Sequence, residues 1–97
     1  MQMISSTRVA DFGTWRAGYE QYEDLRREEG GMTTKQVYQS IIDEHEVSIL
    51  FEVVDEARAR RFLSSSRAEE SMQKIGVTRM PLVGVLTPVA STVPQAP

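Results

Sequence analysis

The ten residues from Glu46 to Asp55 read EVSILFEVVD, and they decide the fold. Every second position from Val47 to Val53 is apolar, whereas the positions between them are mixed. Successive side chains of a strand point to opposite faces of the sheet, so this pattern predicts a strand with one fully apolar face. We expect that face to meet a layer of helices, with Ser48, Leu50 and Glu52 on the opposite face.

Two further strands are predicted beside this one. Residues 33–42 are rich in β-branched and aromatic side chains. The polar turn 43–45 joins them to the strand that contains Val47 to Val53, as a hairpin. Residues 1–9 alternate loosely between apolar and polar. In an antiparallel arrangement that strand would bring Arg8 near Glu46.

A helix is predicted between the first two strands along the chain. Asp11 is a suitable N-cap, and Gly30 and Gly31 are suitable helix stops, because glycine adopts the left-handed conformation without steric cost. Apolar and aromatic residues recur on one helical face at steps of three and four, at Phe12, Trp15, Tyr19, Tyr22 and Leu25 or Arg26. The pattern predicts one helix of about five turns.

A second helical region begins after Asp55, which is its predicted N-cap. Residues 64–66 interrupt it, and Ser66 with Glu69 predicts a capping box that restarts it. Gly76 is its predicted end.

A last strand is predicted over residues 79–87. The resulting βαββαβ order predicts a ferredoxin-like α+β fold, with a four-stranded antiparallel sheet and both helical regions on one face. We expect a single domain over residues 1–87. Residues 88–97 hold three prolines among small residues and predict a disordered tail.

The sheet face opposite the helices is predicted to contact a second copy of the chain or a ligand. Tyr38, Leu50 and Ile4 would place large apolar groups on it, and such a face usually marks an interface or a ligand surface. We expect a homodimer in which two sheets face each other around a lumen.

Composition excludes several classes of protein. The 97 residues are 40% hydrophobic and 26% charged, with no cysteine and a net charge of −3. Disulfides and thiolate metal sites are therefore excluded, and the absence of a basic stripe argues against a nucleic-acid partner. The apolar runs are too short to cross a membrane, and no secretory signal opens the chain, so we expect a cytoplasmic protein.

Several motifs together resemble a known superfamily. They are Asp11-Phe12, Trp15, Arg26-Arg27 to Gly30, Glu46-Val47, Glu52-Val53-Val54-Asp55, Phe62, and Met72 to Val77 with Pro81. This set is similar to small bacterial proteins of the dimeric α+β barrel superfamily, which includes antibiotic-biosynthesis-monooxygenase-like proteins and small polyketide cyclases. The resemblance implies a homodimer with a hydrophobic cavity, no metal or organic cofactor, and a polyketide-like ligand.

The sequence also departs from parts of that superfamily. Its quinone-forming monooxygenases and haem-degrading members use an asparagine in the pocket, and this chain has none. Haem degradation also needs an axial histidine, whereas the single histidine here, His45, lies in the predicted hairpin turn. These departures argue against both chemistries.

Three residues are candidate catalytic groups. Glu52 is predicted mid-strand on the face away from the helices, where desolvation would raise its pKa and make it a general base; the alternative is an ion pair at the rim. Arg8 would steady an enolate oxygen or pair with Glu46. Tyr38 would donate a hydrogen bond to a ligand carbonyl or present its ring as a wall.

Candidate ligand-binding residues are Trp15, Leu50 and Ser48. The strand positions of Leu50 and Ser48 place them in the predicted lumen. Trp15 belongs to an aromatic stripe that more often forms a core than a stacking platform. His45, among acidic neighbours in a turn, is predicted as a surface histidine, and one histidine does not build a zinc site.

These residues predict a cofactor-independent enzyme or binding protein for a hydrophobic, oxygenated small molecule. A polyketide-type cyclase is the leading interpretation. The alternatives are a non-catalytic dimeric module with a solid interface, or a cofactor-free monooxygenase.

Overall fold

Four antiparallel strands form one sheet in the order β2-β3-β1-β4. The computed structural model describes residues 1–89. In chain order its elements are β1 (Gln2–Val9), α1 (Phe12–Gln21), α2 (Glu23–Gly30), β2 (Met32–Gln39), β3 (Glu46–Val53), α3 (Glu56–Leu63), α4 (Ser66–Lys74) and β4 (Val77–Leu86). The predicted ferredoxin-like α+β fold is confirmed, with each helical region divided into two helices.

The two central strands have the predicted alternation. Val47, Ile49, Phe51 and Val53 of β3 are all buried, and they lie in the core with Met3 and Val9 of β1. Arg8 pairs with Glu46 in the β1–β3 register, as expected. The helices therefore cover one face of the sheet, which we call the covered face, and leave the other, the open face, without a layer over it in the single chain.

The first helical region begins and ends where predicted but is broken in its middle. The Asp11 carboxylate accepts a hydrogen bond from the Thr14 N–H at 2.9 Å, and Gly31 closes α2 with φ 63°. Tyr22 separates α1 from α2 with φ −102° and ψ 11°. The expected single helix of about five turns is therefore wrong, because the backbone of Tyr22 leaves the helical conformation between the two.

The second helical region also follows the prediction, with one shift. Asp55 caps α3 by accepting from the backbone of Ala57 and Arg58, and Gly76 follows α4 with φ 89°. The cap of α4 is Ser65, which accepts from the Ala68 N–H, and not Ser66. Residues 64–66 are all serine and can cap a helix equally well, so the residue at which α4 begins is decided by packing.

Two glycines let the helices pack closely. A Cβ on Gly18 of α1 would lie 2.4 Å from Ile75 Cγ2, and one on Gly30 of α2 would lie 2.9 Å from Phe62 Cδ2. Side chains do not approach each other so closely. Each glycine thus determines how near one pair of helical segments can lie.

Both edge strands carry register shifts, one in β2 and two in β4. In β2 the partners jump from Thr34–Phe51 to Gln36–Leu50, which leaves Lys35 as the extra residue. In β4 they jump from Leu82–Ser6 to Arg79–Arg8, so the extra residue lies at Met80-Pro81. These shifts are β-bulges, and bulges bend a strand and interrupt its ladder.

Within residues 1–89, no helix has the length and apolarity to cross a bilayer. The predicted disorder of the tail concerns residues 88–97, most of which lie outside the described range.

Candidate functional site

The open face holds five of the six predicted site residues, and three of them are neighbours. Tyr38 pairs with Ser48 across β2 and β3, and the Ser48 hydroxyl lies 3.1 Å from that of Ser6. Leu50 follows Ser48 on the same face of β3. Tyr38 is half exposed. These residues form a small polar and apolar patch at the middle of the open face.

Glu52 lies at one end of that face, beside the start of the chain. The N-terminal ammonium of Met1 donates to its Oε1 at 2.8 Å, and half of its side chain is exposed. This hydrogen bond lowers the pKa of Glu52. The expectation of a raised pKa is therefore wrong for the single chain, because the ammonium stabilises the charged carboxylate.

Arg8 lies at the opposite end, in a cluster of charges. Its Nη1 donates to Asp43 at 2.8 Å and to Glu46 at 2.7 Å, and Arg79 also contacts Glu46. The predicted ion-pair alternative for Arg8 is confirmed. Its hydrogen bonds lower the pKa of both carboxyl groups.

Glu52 and Arg8 are too far apart to act on one atom of a ligand within one chain. Glu52 pairs with Gln2 and Glu46 pairs with Arg8, six positions along β1. At about 3.3 Å per residue, the separation is about 20 Å. A base and an oxyanion partner for the same enolate must lie within a few ångströms of each other.

His45 lies in the β2–β3 turn with its ring partly exposed. Its Nδ1 donates to the Val9 carbonyl at 3.0 Å, which attaches the turn to the end of β1. Across residues 1–89, no three histidine, aspartate or glutamate side chains are grouped as metal ligands.

The covered face contains a different feature, a cavity of about 50 Å³ between the sheet and the helices. Trp15 and Tyr19 of α1 form one wall, and the sheet forms the floor. The remaining apolar lining residues are Ile49, Phe51, Phe62, Leu63, Ala68, Met72, Ile75, Val77 and Pro81. Trp15, the sixth predicted site residue, is therefore separated from the other five by the thickness of the sheet.

Polar side chains belong to this buried floor. Ser5 and Trp15 are only 3% and 1% exposed, and both line the cavity. Thr7 beside them is satisfied by the Arg79 carbonyl at 2.5 Å. Among residues 1–89, the side-chain atom that is fully buried without a hydrogen-bond partner is Arg79 Nε, which lies outside the cavity lining.

Arg26 adds a buried cation to the cavity wall. Its Nη2 donates to the Tyr19 carbonyl at 2.7 Å and to Glu23 at 2.9 Å, and its guanidinium carbon lies 3.5 Å from the centre of the Tyr19 ring. Its Nη1 has no hydrogen-bond partner in the described part of the chain, and Arg26 is only 8% exposed. Two of the three guanidinium nitrogens of Arg26 are thus bonded to Glu23 and the Tyr19 carbonyl.

A relay of hydrogen bonds holds this cation in place. The Thr34 hydroxyl donates its proton to Glu23 at 2.8 Å. It therefore accepts the hydrogen bond from the Tyr19 hydroxyl, at 2.7 Å. Burial raises the pKa of Tyr19 to about 12. Burial also acts to raise the pKa of Glu23, but hydrogen bonds from Thr34 and Arg26 outweigh it and lower that pKa. Glu23 is therefore an anion that balances Arg26.

The cavity thus offers hydrogen-bond donors among apolar walls, together with the Arg26 cation, whose charge is balanced by Glu23. Its lining includes no carboxylate and no imidazole within the described residues. Such a site suits a hydrophobic molecule with carbonyl or phenolate oxygens, because those oxygens accept hydrogen bonds.

Sequence reasoning missed Ser5 and Arg26 as site residues. One signal was present: an arginine, Arg26, on the same helical stripe as Trp15 and Tyr19, three residues after Glu23. A cation on an otherwise aromatic stripe indicates a buried ion pair or a ligand contact.

Comparison with known proteins is informative only at the level of structure. No protein-family model matches the chain, and no curated protein matches it either.

Several solved structures share the fold. A candidate antibiotic biosynthesis monooxygenase from Bordetella bronchiseptica superimposes with a TM-score of 0.67 at 21% identity, over 92% of this chain and 96% of the other. SnoaB, a cofactor-independent oxygenase from Streptomyces nogalater, gives 0.63 at 11% identity, over 97% and 96%. A monooxygenase from the ActVA-Orf6 gene of Streptomyces coelicolor, in complex with nanaomycin D, gives 0.59 at 18% identity, over 97% and 91%.

These similarities establish the fold of this chain, which is that of the antibiotic-biosynthesis-monooxygenase-like proteins. The resemblance found in the sequence is thereby confirmed at the level of the fold.

Proposed function

We propose that this protein is a cofactor-independent enzyme that binds a hydrophobic, oxygenated ring compound in the cavity of the covered face. One observation carries the proposal: three buried residues with hydrogen-bond donors, Ser5, Trp15 and Arg26, line one apolar cavity. A hydrogen bond from one of them to a ligand oxygen would contribute about 0.5–1.5 kcal/mol.

The donors favour oxygenation over ring closure as the reaction. An aldol-type ring closure needs a base to remove a proton from carbon, and no carboxylate or imidazole among the described residues lines the cavity. In cofactor-free oxygenation, a hydroxylated substrate that has lost its proton to solvent enters as an anion, and that anion itself supplies electrons to O₂. A ring CH₂ group then becomes a carbonyl, and the second oxygen atom leaves as water.

The protein would contribute position and electrostatics to that reaction. Arg26 and the Trp15 N–H would stabilise the oxyanion of the substrate, and the apolar walls would exclude water. The similar structures support this choice, since SnoaB is a cofactor-independent oxygenase and the ActVA-Orf6 protein binds nanaomycin D. Because this chain has no asparagine, the three cavity donors would perform the orientation that an amide performs in the quinone-forming relatives.

Ring closure on the open face is the second candidate. It is favoured by the adjacency of Tyr38, Ser48 and Leu50, and it keeps Glu52 as its base. This candidate requires a second protomer to enclose the face and to exclude water from Glu52.

We also propose that the protein is a homodimer. Leu82 is 68% exposed and Leu86 40% exposed, and both share the open face with Ile4, Leu50 and Tyr38. Exposed apolar residues gathered on one sheet face support burial against a second copy.

An oxygen electrode tests the enzymatic proposal. The wild-type protein, in chelator and without added cofactor, should accelerate O₂ uptake by a hydroxylated anthrone as the anthrone becomes an anthraquinone. Ser5→Ala should raise KM about tenfold, the effect of about one lost hydrogen bond. Ser48→Ala, the matched substitution on the open face, should leave KM unchanged.

Two results would count against the proposal. O₂ uptake equal to that in buffer alone would rule out the oxygenase. A loss of ring-closing turnover in Glu52→Gln by about 100-fold, with Ser5→Ala unaffected, would move the site to the open face.

A further inference from the structure

The cavity of the covered face is too small for the ligand that its chemistry suits. Its volume is about 50 Å³, enough for a few water molecules, since one water needs at least about 10–15 Å³ measured in this way. Sites for drug-sized molecules measure about 300–1,000 Å³. A fused ring system would therefore have to extend beyond the present cavity.

A groove of about 360 Å³ adjoins the cavity at the edge of the sheet. It runs between the end of α3 and the edge strand β4, and it is lined by Arg60, Ser64, Met80, Leu82 and Val83. Leu63 and Pro81 line both spaces. These two side chains therefore form the partition between the cavity and the groove.

The partition is built where the backbone is least constrained. Pro81 lies in the bulge of β4, and proline has no N–H to donate to the ladder. Leu63 is the last residue of α3, followed by Ser64 as its C-cap. Both sides of the partition can thus shift without breaking a regular run of backbone hydrogen bonds.

The groove carries one kind of charge on its lining. Arg60 is its charged residue; it donates to Glu56 at 2.8 Å, and about half of its side chain is exposed. A half-exposed pair of this kind contributes little to stability, so Arg60 can exchange Glu56 for another anion at small cost.

We propose that the partition of Leu63 and Pro81 opens to join the two spaces, and that the groove holds the distal half of an elongated ring compound with an acidic group at Arg60. This inference rests on the proposed function, because it names the class of ligand that the same cavity takes. The ring that reacts would lie against Trp15 and Ser5. The acidic end would lie at the surface, about one helical turn before the end of α3.

Quenching of Trp15 fluorescence by two quinones tests the inference, since Trp15 is the single tryptophan of the chain. The short probe is 1,4-benzoquinone, a single ring, and the long probe is anthraquinone-2-carboxylate. Both should quench the wild-type protein. Ser64→Phe, which fills the groove, and Arg60→Gln, which removes its cation, should each weaken the long probe at least tenfold and change the short probe less than twofold.

Arg61→Gln is the matched control, because Arg61 is an exposed neighbour of Arg60 that does not line the groove. It should change neither probe by more than twofold. Circular dichroism of each variant confirms the fold, and Arg60→Gln, a surface change, keeps the test decisive if Ser64→Phe does not fold.

The outcomes separate the two proposals. If neither quinone quenches Trp15 in the wild-type protein, the cavity is not a quinone site and the proposed function is wrong. If both quench it, but Ser64→Phe and Arg60→Gln weaken neither probe or weaken both equally, the groove is not part of the site and only this inference is overturned.

Discussion

The two faces of the sheet are anomalous in opposite ways. The covered face hides polar groups such as Ser5 and Arg26 under two pairs of helices, whereas the open face leaves Leu82 and Tyr38 in water. Both arrangements cost free energy, because burying a polar group and exposing a large apolar one are each unfavourable. The two proposals above would reduce these costs, with a small molecule on the covered face and a second protomer on the open face.

The largest effect should come from breaking the buried ion pair of the covered face. Arg26→Leu leaves Glu23 partly buried without its cation, and removal of one partner from a buried pair costs about 3–5 kcal/mol. Arg27→Leu is the control, since the neighbouring Arg27–Asp24 pair is exposed and should contribute at most about 1 kcal/mol. Urea denaturation measures both. Equal losses in the two variants would show that the network does not stabilise the covered face.

The next effect should be on the open face. Leu50→Lys places a charge at the centre of the proposed dimer contact, and it should raise the dissociation constant at least 100-fold, which is about 2.7 kcal/mol. Light scattering should then report the chain mass of 11.0 kDa in place of its double. Gln21→Lys, which adds the same charge on an exposed position of α1, should leave the dimer intact. A wild-type protein that stays at 11.0 kDa at high micromolar concentration would contradict the dimer.

The smallest effect concerns a single proton. Burial raises the pKa of Tyr19 to about 12, so the folded chain retains that proton while the unfolded chain loses it near pH 10. The unfolded state then binds fewer protons, and stability should fall as pH rises between 10 and 12. Absorbance at 295 nm should show a late ionisation step that disappears in Tyr19→Phe and persists in Tyr38→Phe. A titration without a late step would mean that water reaches Tyr19.

Much of the architecture was readable from the sequence. Asp11 and Asp55 were recognised as caps because short acidic side chains satisfy the first N–H groups of a helix. The alternation from Val47 to Val53 placed the core correctly, because the face to which a strand residue points depends only on its position along the strand.

The site was less readable, because it depends on what packs against each residue. Ser5 lies on the same face of β1 as Met3, but its burial depends on helices that lie far away in sequence. The pKa of Glu52 was mispredicted because the N-terminal ammonium lies beside it only in the folded chain. The cavity itself results from the spacing between helices and sheet, which no local pattern encodes.

The bulges of the two edge strands have a consequence for solubility. An exposed sheet edge can recruit further strands and begin aggregation, and proteins oppose this with bulges, lysine and proline at the edge. Here β2 carries Lys35 in its bulge and β4 carries Pro81 in its own. Growth of the sheet is disfavoured on both sides, so two copies of this chain can associate through their faces without seeding a longer ribbon.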